Sequence, residues 1–148
     1  MNDWHGERRV ELDSSKDLVR RIYEEALNKR DLEVLDELVA ENYIENDPLP
    51  GQGTGRDGMK DRYRMLVQAL DPQFTIEDVI AEGDRVAVRW SNSGSHVGEL
   101  FGIPPTGRSF SIAGVDIYRL QGGTVVEHWD VVDMYGLMMQ LGLLPPPE

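Results

Sequence analysis

The sequence predicts an α+β fold in which a layer of N-terminal helices is followed by a mostly antiparallel sheet that curls around it. Three observations predict it. Apolar residues recur at helical spacing as far as Ala69. From Phe74 onward the pattern changes to runs rich in β-branched and aromatic residues. Glycine-containing turns then divide that second half into two hairpins. At 148 residues the chain is long enough for one domain with a real core or an internal cavity.

Residues 1–13, MNDWHGERRVELD, are polar and charged, which excludes a secretory signal or a membrane anchor there and predicts a flexible N-terminal arm ahead of a domain over 14–142. Ser14, followed three residues later by Asp17, reads as a variant capping box. Leu18, Ile22, Ala26 and Leu27 follow at helical spacing, so a first helix is expected over about 15–28. Asp31 caps a second, shorter helix with the apolar face Leu32, Leu35, Leu38 and Val39. After Tyr43-Ile44 the stretch NDPLPGQGTG holds two prolines and three glycines and reads as a loop. Met59, Tyr63, Leu66 and Val67 predict a third helix from about Asp57 to Ala69, with Pro72 just beyond it. FTIEDVIAE and RVAVRWSNSGSH, joined through Glu82-Gly83-Asp84, form the first hairpin. The loop GELFGIPPTG follows, and RSFSIAGVDIYRL and TVVEHWDVVD form the second hairpin around Gln121-Gly122-Gly123. Met134 to Leu141 closes the chain as a short helix, and LLPPPE, residues 143–148, is a tail that cannot continue it.

Composition excludes several functions. The net charge of −12, from 27 acidic against 15 basic residues, opposes nucleic acid and anionic membrane as partners. There is no cysteine, hence no disulfide, thiolate nucleophile or Cys-ligated zinc, which fits a cytoplasmic address. His5, His96 and His128 have no metal-ligand spacing, SNSGSH lacks the glycines of a nucleophile elbow, and GQGTG does not sit between a strand and a helix as a dinucleotide fingerprint would.

The stretch EHWDVVD, residues 127–133, carries the chemistry. A three-residue loop in the second hairpin sets Asp116 opposite His128 and Gly114 opposite Asp130, placing Asp116, Tyr118, His128 and Asp130 on one face. A two-residue loop on Gly122-Gly123 shifts the pairs by one and sets Asp116 against Trp129 instead. The other face, Val115, Ile117, Val125, Trp129 and Val131, is apolar apart from Arg119 and Glu127. If that face packs on the helices, the acid and histidine residues point to water. His96 beside its glycines reads as a loop or strand-end residue, and Trp90 as core or cavity wall.

Together, ENYIENDPLPGQGTGRDG, SGSHVGELFGIPPTGRSFSIAGVDIYRL and TVVEHWDVVDMYGLMMQLG resemble the SnoaL-like polyketide cyclase family of the nuclear transport factor 2-like superfamily, over about residues 16–142. The resemblance implies a cone-shaped α+β barrel. Its strongly curved sheet wraps around helices and encloses an apolar cavity, and its outer face often forms a homodimer interface. It also implies acid/base chemistry without metal or cofactor on an apolar, carbonyl-bearing small molecule. In that reading Asp130 is the general acid/base of an intramolecular aldol condensation, and His128 or Tyr118 donates to the enolate oxygen. Asp116 is a second carboxylate nearby; Trp90, His96, Tyr43, Asn46, Met65, Phe101 and Tyr118 line the pocket. Two positions depart from the family pattern: Asp116 and Asn46 stand where many relatives carry histidine. Because the superfamily contains isomerases, dehydratases, hydrolases and proteins without known catalysis, the alternative is a binding or dimeric structural module, its cavity lined by residues such as Met134, Met138 and Met139.

Overall fold

The structure is a computed structural model that describes residues 4–145 and Glu148. Helix α1 (Trp4–Arg21) continues directly into a π-helical stretch, Ile22–Asn28. Residues 4–13, expected as a loose arm, are thus helical, and Ser14 lies inside the helix rather than capping it. The first buried side chain of α1 is Val19, so its early turns rest on helix propensity in a Glu-, Arg- and Leu-containing run rather than on packing. Expectations for residues 1–3 and 146–147 fall outside the described residues. The wider π-helical turn buries Ile22, Tyr23, Ala26 and Leu27 and delivers the Tyr23 hydroxyl to the sheet.

A 3₁₀ turn (Leu32–Val34) leads into the four-residue α2 (Leu35–Leu38). Asp31 occupies the cap position without a side-chain hydrogen bond. Val39, expected on the helix, instead opens strand β1 (Val39–Glu45), which the sequence concealed because its burial does not alternate. Helix α3 (Gly55–Leu70) ends on Asp71 in the left-handed region, whose N–H reaches Val67. Strands β2 (Gln73–Glu82), β3 (Arg85–Ser95), β4 (Ser109–Gln121) and β5 (Thr124–Val132) follow, and helix α4 (Met134–Gln140) is capped by Asp133 accepting from the Gly136 N–H at 2.8 Å.

The five strands form one open mixed sheet in the order β1-β5-β4-β3-β2, with β1 parallel to β5 and every other pair antiparallel. The architecture is the expected α+β cone, with a sheet that stays open. The concave face packs on the π-helical stretch and α3 through Leu27, Met59, Tyr63, Val88 and Trp90.

The second hairpin resolves the register in a way neither loop alone predicts. Its turn is the two-residue Gly122-Gly123, with Gln121 opposite Thr124, but a bulge near Val126 lets Arg119 pair with Glu127 next to Leu120 with Val125. The extra residue restores the parity that a two-residue turn would have reversed, so Tyr118 faces His128 and Asp116 faces Asp130. It also swings Val125 inward, fully buried, although simple alternation assigns it to the outer face. The acid and histidine residues thus lie on the concave side. The outer face leaves Val131 76% exposed, with Val115 and Ile117 also open.

Candidate active site

Between the sheet and α3 lies a cavity with apolar walls, among them Met59, Leu66, Phe74, Leu100 and Ile112, and one polar end formed by Glu45, Arg62, Asp116, His128 and Asp130. Three elements build that end. β1 contributes Tyr43 and Glu45, α3 contributes Arg62, and the β4–β5 hairpin contributes Asp116, His128 and Asp130.

Asp116 is surrounded by donors. Its Oδ2 accepts from the Tyr23 hydroxyl and from the Trp90 indole N–H at 2.7 Å, with the Tyr118 hydroxyl at 3.4 Å, and its Oδ1 faces His128 Nε2 at 2.9 Å. Since Tyr23 gives its single proton to Asp116, the Tyr118 hydroxyl donates to Tyr23 at 2.8 Å. Burial first, and the Asp116 charge second, push the Tyr23 and Tyr118 hydroxyls well above the ordinary tyrosine range, so both remain donors. Both Asp116 oxygens are thus held by protein donors.

His128 lies between two carboxylates, Nδ1 at 2.6 Å from Glu45 Oε2 and Nε2 at 2.9 Å from Asp116 Oδ1. Both partners are acceptors, so both ring nitrogens must donate and the ring is an imidazolium. Burial opposes that charge, but the hydrogen bonds to Asp116 and Glu45 outweigh it and hold His128 at about 9. Glu45 is correspondingly held below its ordinary value: burial raises it, and His128 and Arg62 more than offset the rise. Its Oε2 also accepts from the Tyr43 hydroxyl at 2.8 Å, and its Oε1 from the Asp47 N–H at 3.0 Å.

Asp130 is the remaining carboxylate. Its Oδ2 is paired with Arg62 Nη2, while Arg62 Nη1 donates to the Asp47 carbonyl at 3.0 Å and lies 3.6 Å from Glu45 Oε1. Among the described residues its other oxygen, Oδ1, holds no hydrogen bond. Asp130 lines the cavity with a side chain only 8% exposed. Burial pushes its carboxyl above the ordinary aspartate value, against the opposing pull of Arg62 and His128. With His128 protonated, the cluster sets three carboxyl groups against two cations, all with side chains at most 10% exposed.

Asp116, His128 and Asp130 each offer a ligand atom within 4.8 Å of the others. A metal ion there would have to displace the His128–Asp116 hydrogen bond and lie against the Arg62 guanidinium, so this donor set is built for an imidazolium rather than a metal.

Tyr43, Trp90, Phe101 and Tyr118, expected on the pocket wall, all lie there; His96, Met65 and Asn46 do not. His96 is fully buried, its Nδ1 accepting the Thr106 N–H at 3.1 Å, and it closes the base of the 97–107 loop. Met65 is half-buried on α3 at the flank of the face that Met59, Arg62, Tyr63 and Leu66 turn to the cavity. Asn46 donates to the His128 carbonyl at 3.0 Å and to Glu127 at 3.2 Å, fastening the loop after β1 to β5. Glu45, Arg62 and Tyr23 were not singled out from the sequence. The available signal was a lone arginine on the apolar stripe of a helix, Arg62 between Met59 and Leu66.

An α+β cone with an apolar cavity closed at one end by a buried acid–base cluster defines a class of small-molecule proteins. The family model of the SnoaL-like polyketide cyclases matches residues 17–141, and the chain belongs to that family. Aklanonic acid methyl ester cyclase DauD of Streptomyces sp. (strain C5) is 31% identical over 137 residues, covering 89% of this chain and 84% of that protein. Among solved structures, TsrD from Streptomyces laurentii matches with a TM-score of 0.81 and 33% identity, covering 89% of this chain and 97% of that one. IdmH from Streptomyces antibioticus matches with a TM-score of 0.75 and 31% identity, covering 86% and 98%. No described helix is long and apolar enough to cross a membrane.

Proposed function

We propose that the protein closes a ring in a polyketide ester or a similar carbonyl-bearing substrate by an aldol reaction, with Asp130 as general acid/base and without metal or cofactor. The observation that carries this is the Asp130 carboxylate, buried on the cavity wall with one oxygen on Arg62 and the other without a hydrogen bond among the described residues. Asp130 takes the proton from the carbon next to a substrate carbonyl. The Arg62 guanidinium and the His128 imidazolium offset the negative charge that moves onto the carbonyl oxygen. The enolate carbon then attacks a second carbonyl of the same molecule, forming the carbon–carbon bond. The resulting alkoxide recovers the proton from Asp130, so the enzyme ends as it began. Raised basicity from burial is what this step needs. Asp116 and Glu45 act through His128, holding it charged and in place.

The test is hydrogen–deuterium exchange at the acidic carbon of aklanonic acid methyl ester, the substrate named in the relatives, followed by NMR in deuterated water. Wild type is expected to catalyse exchange and Asp130→Asn to lose it by roughly 10²–10⁴-fold while keeping its fold. Unaltered exchange in the variant refutes the assignment; binding without any exchange by wild type returns the protein to the non-catalytic, ligand-holding reading.

We further assign the outer sheet face as the surface of a homodimer, on the strength of the exposed Ile80, Val115, Ile117 and Val131. A cytoplasmic location is proposed with it; cell fractionation tests that placement.

A further inference from the structure

Asn92 lies on β3, paired with Phe74 on one side and Ile112 on the other, and is 5% exposed. Its side chain lines the cavity, and its buried Oδ1 has no hydrogen-bond partner among the described residues. Its cross-strand partners Phe74 and Ile112, both on the cavity wall, are apolar. A buried carboxamide oxygen without a partner is unfavourable, and leucine, with the same branched shape and no polar atoms, would relieve it. The fold gains nothing visible from the amide; a bound molecule would.

Its position says which part of that molecule. On β4, Asn92 is level with Ile112 while the acid–base end is level with Asp116, a separation of roughly 13 Å at about 3.3 Å per residue. Trp90 lies between them. Its indole N–H is tied to Asp116, and its ring lies over Gly114, where a Cβ would fall 2.3 Å from the Trp90 Cζ2. A flat aromatic surface thus runs from the charged end toward a single amide.

We infer that Asn92 is a specificity residue that hydrogen-bonds a hydroxyl or carbonyl on the far end of a flat, fused-ring substrate whose reacting carbon sits at Asp130. The inference rests on the cavity being the substrate site, and it names which substrates the site prefers. The amide serves either group: Oδ1 accepts from a hydroxyl, Nδ2 donates to a carbonyl.

Equilibrium binding to the full chain, with no turnover, tests it, so failure of the aldol reading and failure of this one are distinguishable. The probes are 2-naphthol and 2-methylnaphthalene, near-isosteric and differing in the hydroxyl, titrated by tryptophan fluorescence. Wild type is expected to prefer 2-naphthol by about tenfold, a typical value for one pocket hydrogen bond. Asn92→Leu is expected to abolish or invert that preference while still binding 2-methylnaphthalene and melting no lower than wild type. Asn92→Ala, which adds no bulk, must lose the preference as well. The proposal is overturned if wild type shows no preference, if both variants retain it, or if the variants lose both probes equally.

Discussion

At the scale of single residues, the imidazolium of His128 makes stability depend on alkaline pH. Its folded-state value of about 9 lies above the ordinary histidine value of 6.5. The stabilisation is therefore complete below about pH 6.5 and is lost as pH rises through 9, amounting to about 3 kcal/mol over that window. Urea denaturation at pH 6.5 and 9.5 is expected to show this fall in wild type and little of it in His128→Gln; equal falls would mean that the histidine is not charged. Arg62 gives a complementary expectation. Burial disfavours its charge, and Asp130 and Glu45 more than restore it. Arg62→Met leaves two buried carboxylates short of a partner and is expected to cost roughly 3–5 kcal/mol, read from the denaturation midpoint at neutral pH. The sequence revealed only part of this cluster. Asp116, His128 and Asp130 were legible because period two groups residues within one hairpin. Glu45 and Arg62 enter from a parallel strand and a helix, and no local pattern relates them to β5.

At the scale of elements, β4 needs its glycine. Any side chain at Gly114 meets the Trp90 ring, so Gly114→Val is expected to lift the indole from Asp116 and destabilise the fold by about 1–3 kcal/mol. Denaturation and a shifted tryptophan emission report it; an unchanged spectrum and midpoint would show that the ring has room elsewhere. The same hairpin shows the limit of reading elements from sequence. The sequence left a two-residue and a three-residue turn open, and neither gave the observed pairs: the turn has two residues, the grouping of the polar face is the one expected from three, and the bulge that reconciles them carries no sequence signal of its own. Strand β1 was missed for a related reason: its exposed middle residues break the alternation that marks a half-buried strand.

At the scale of the whole molecule, helical period giving way to strand runs was enough for the α+β class, because each pattern spans many residues and averages over local exceptions. That the sheet curls around the helices followed from the order of the elements, whereas the enclosed apolar cavity came from the resemblance, since periodicity does not encode which face of a sheet is concave. The apolar outer face has its own test. Val131→Glu is expected to shift sedimentation toward a monomer while leaving the melting profile of the isolated chain similar; a wild type that already sediments as a monomer would remove the dimer proposal.

The pairing of β1 with β5 joins Glu45 to His128 across 83 positions of sequence. Such a long loop closes slowly, and every nearer contact is free to form beforehand. During synthesis helices α1 to α3 and the first hairpin emerge before the last strand leaves the ribosome, but the imidazolium has no partner until Thr124–Val132 docks between β4 and β1. Helix content therefore reports early progress of folding, whereas the proton on His128 reports its completion.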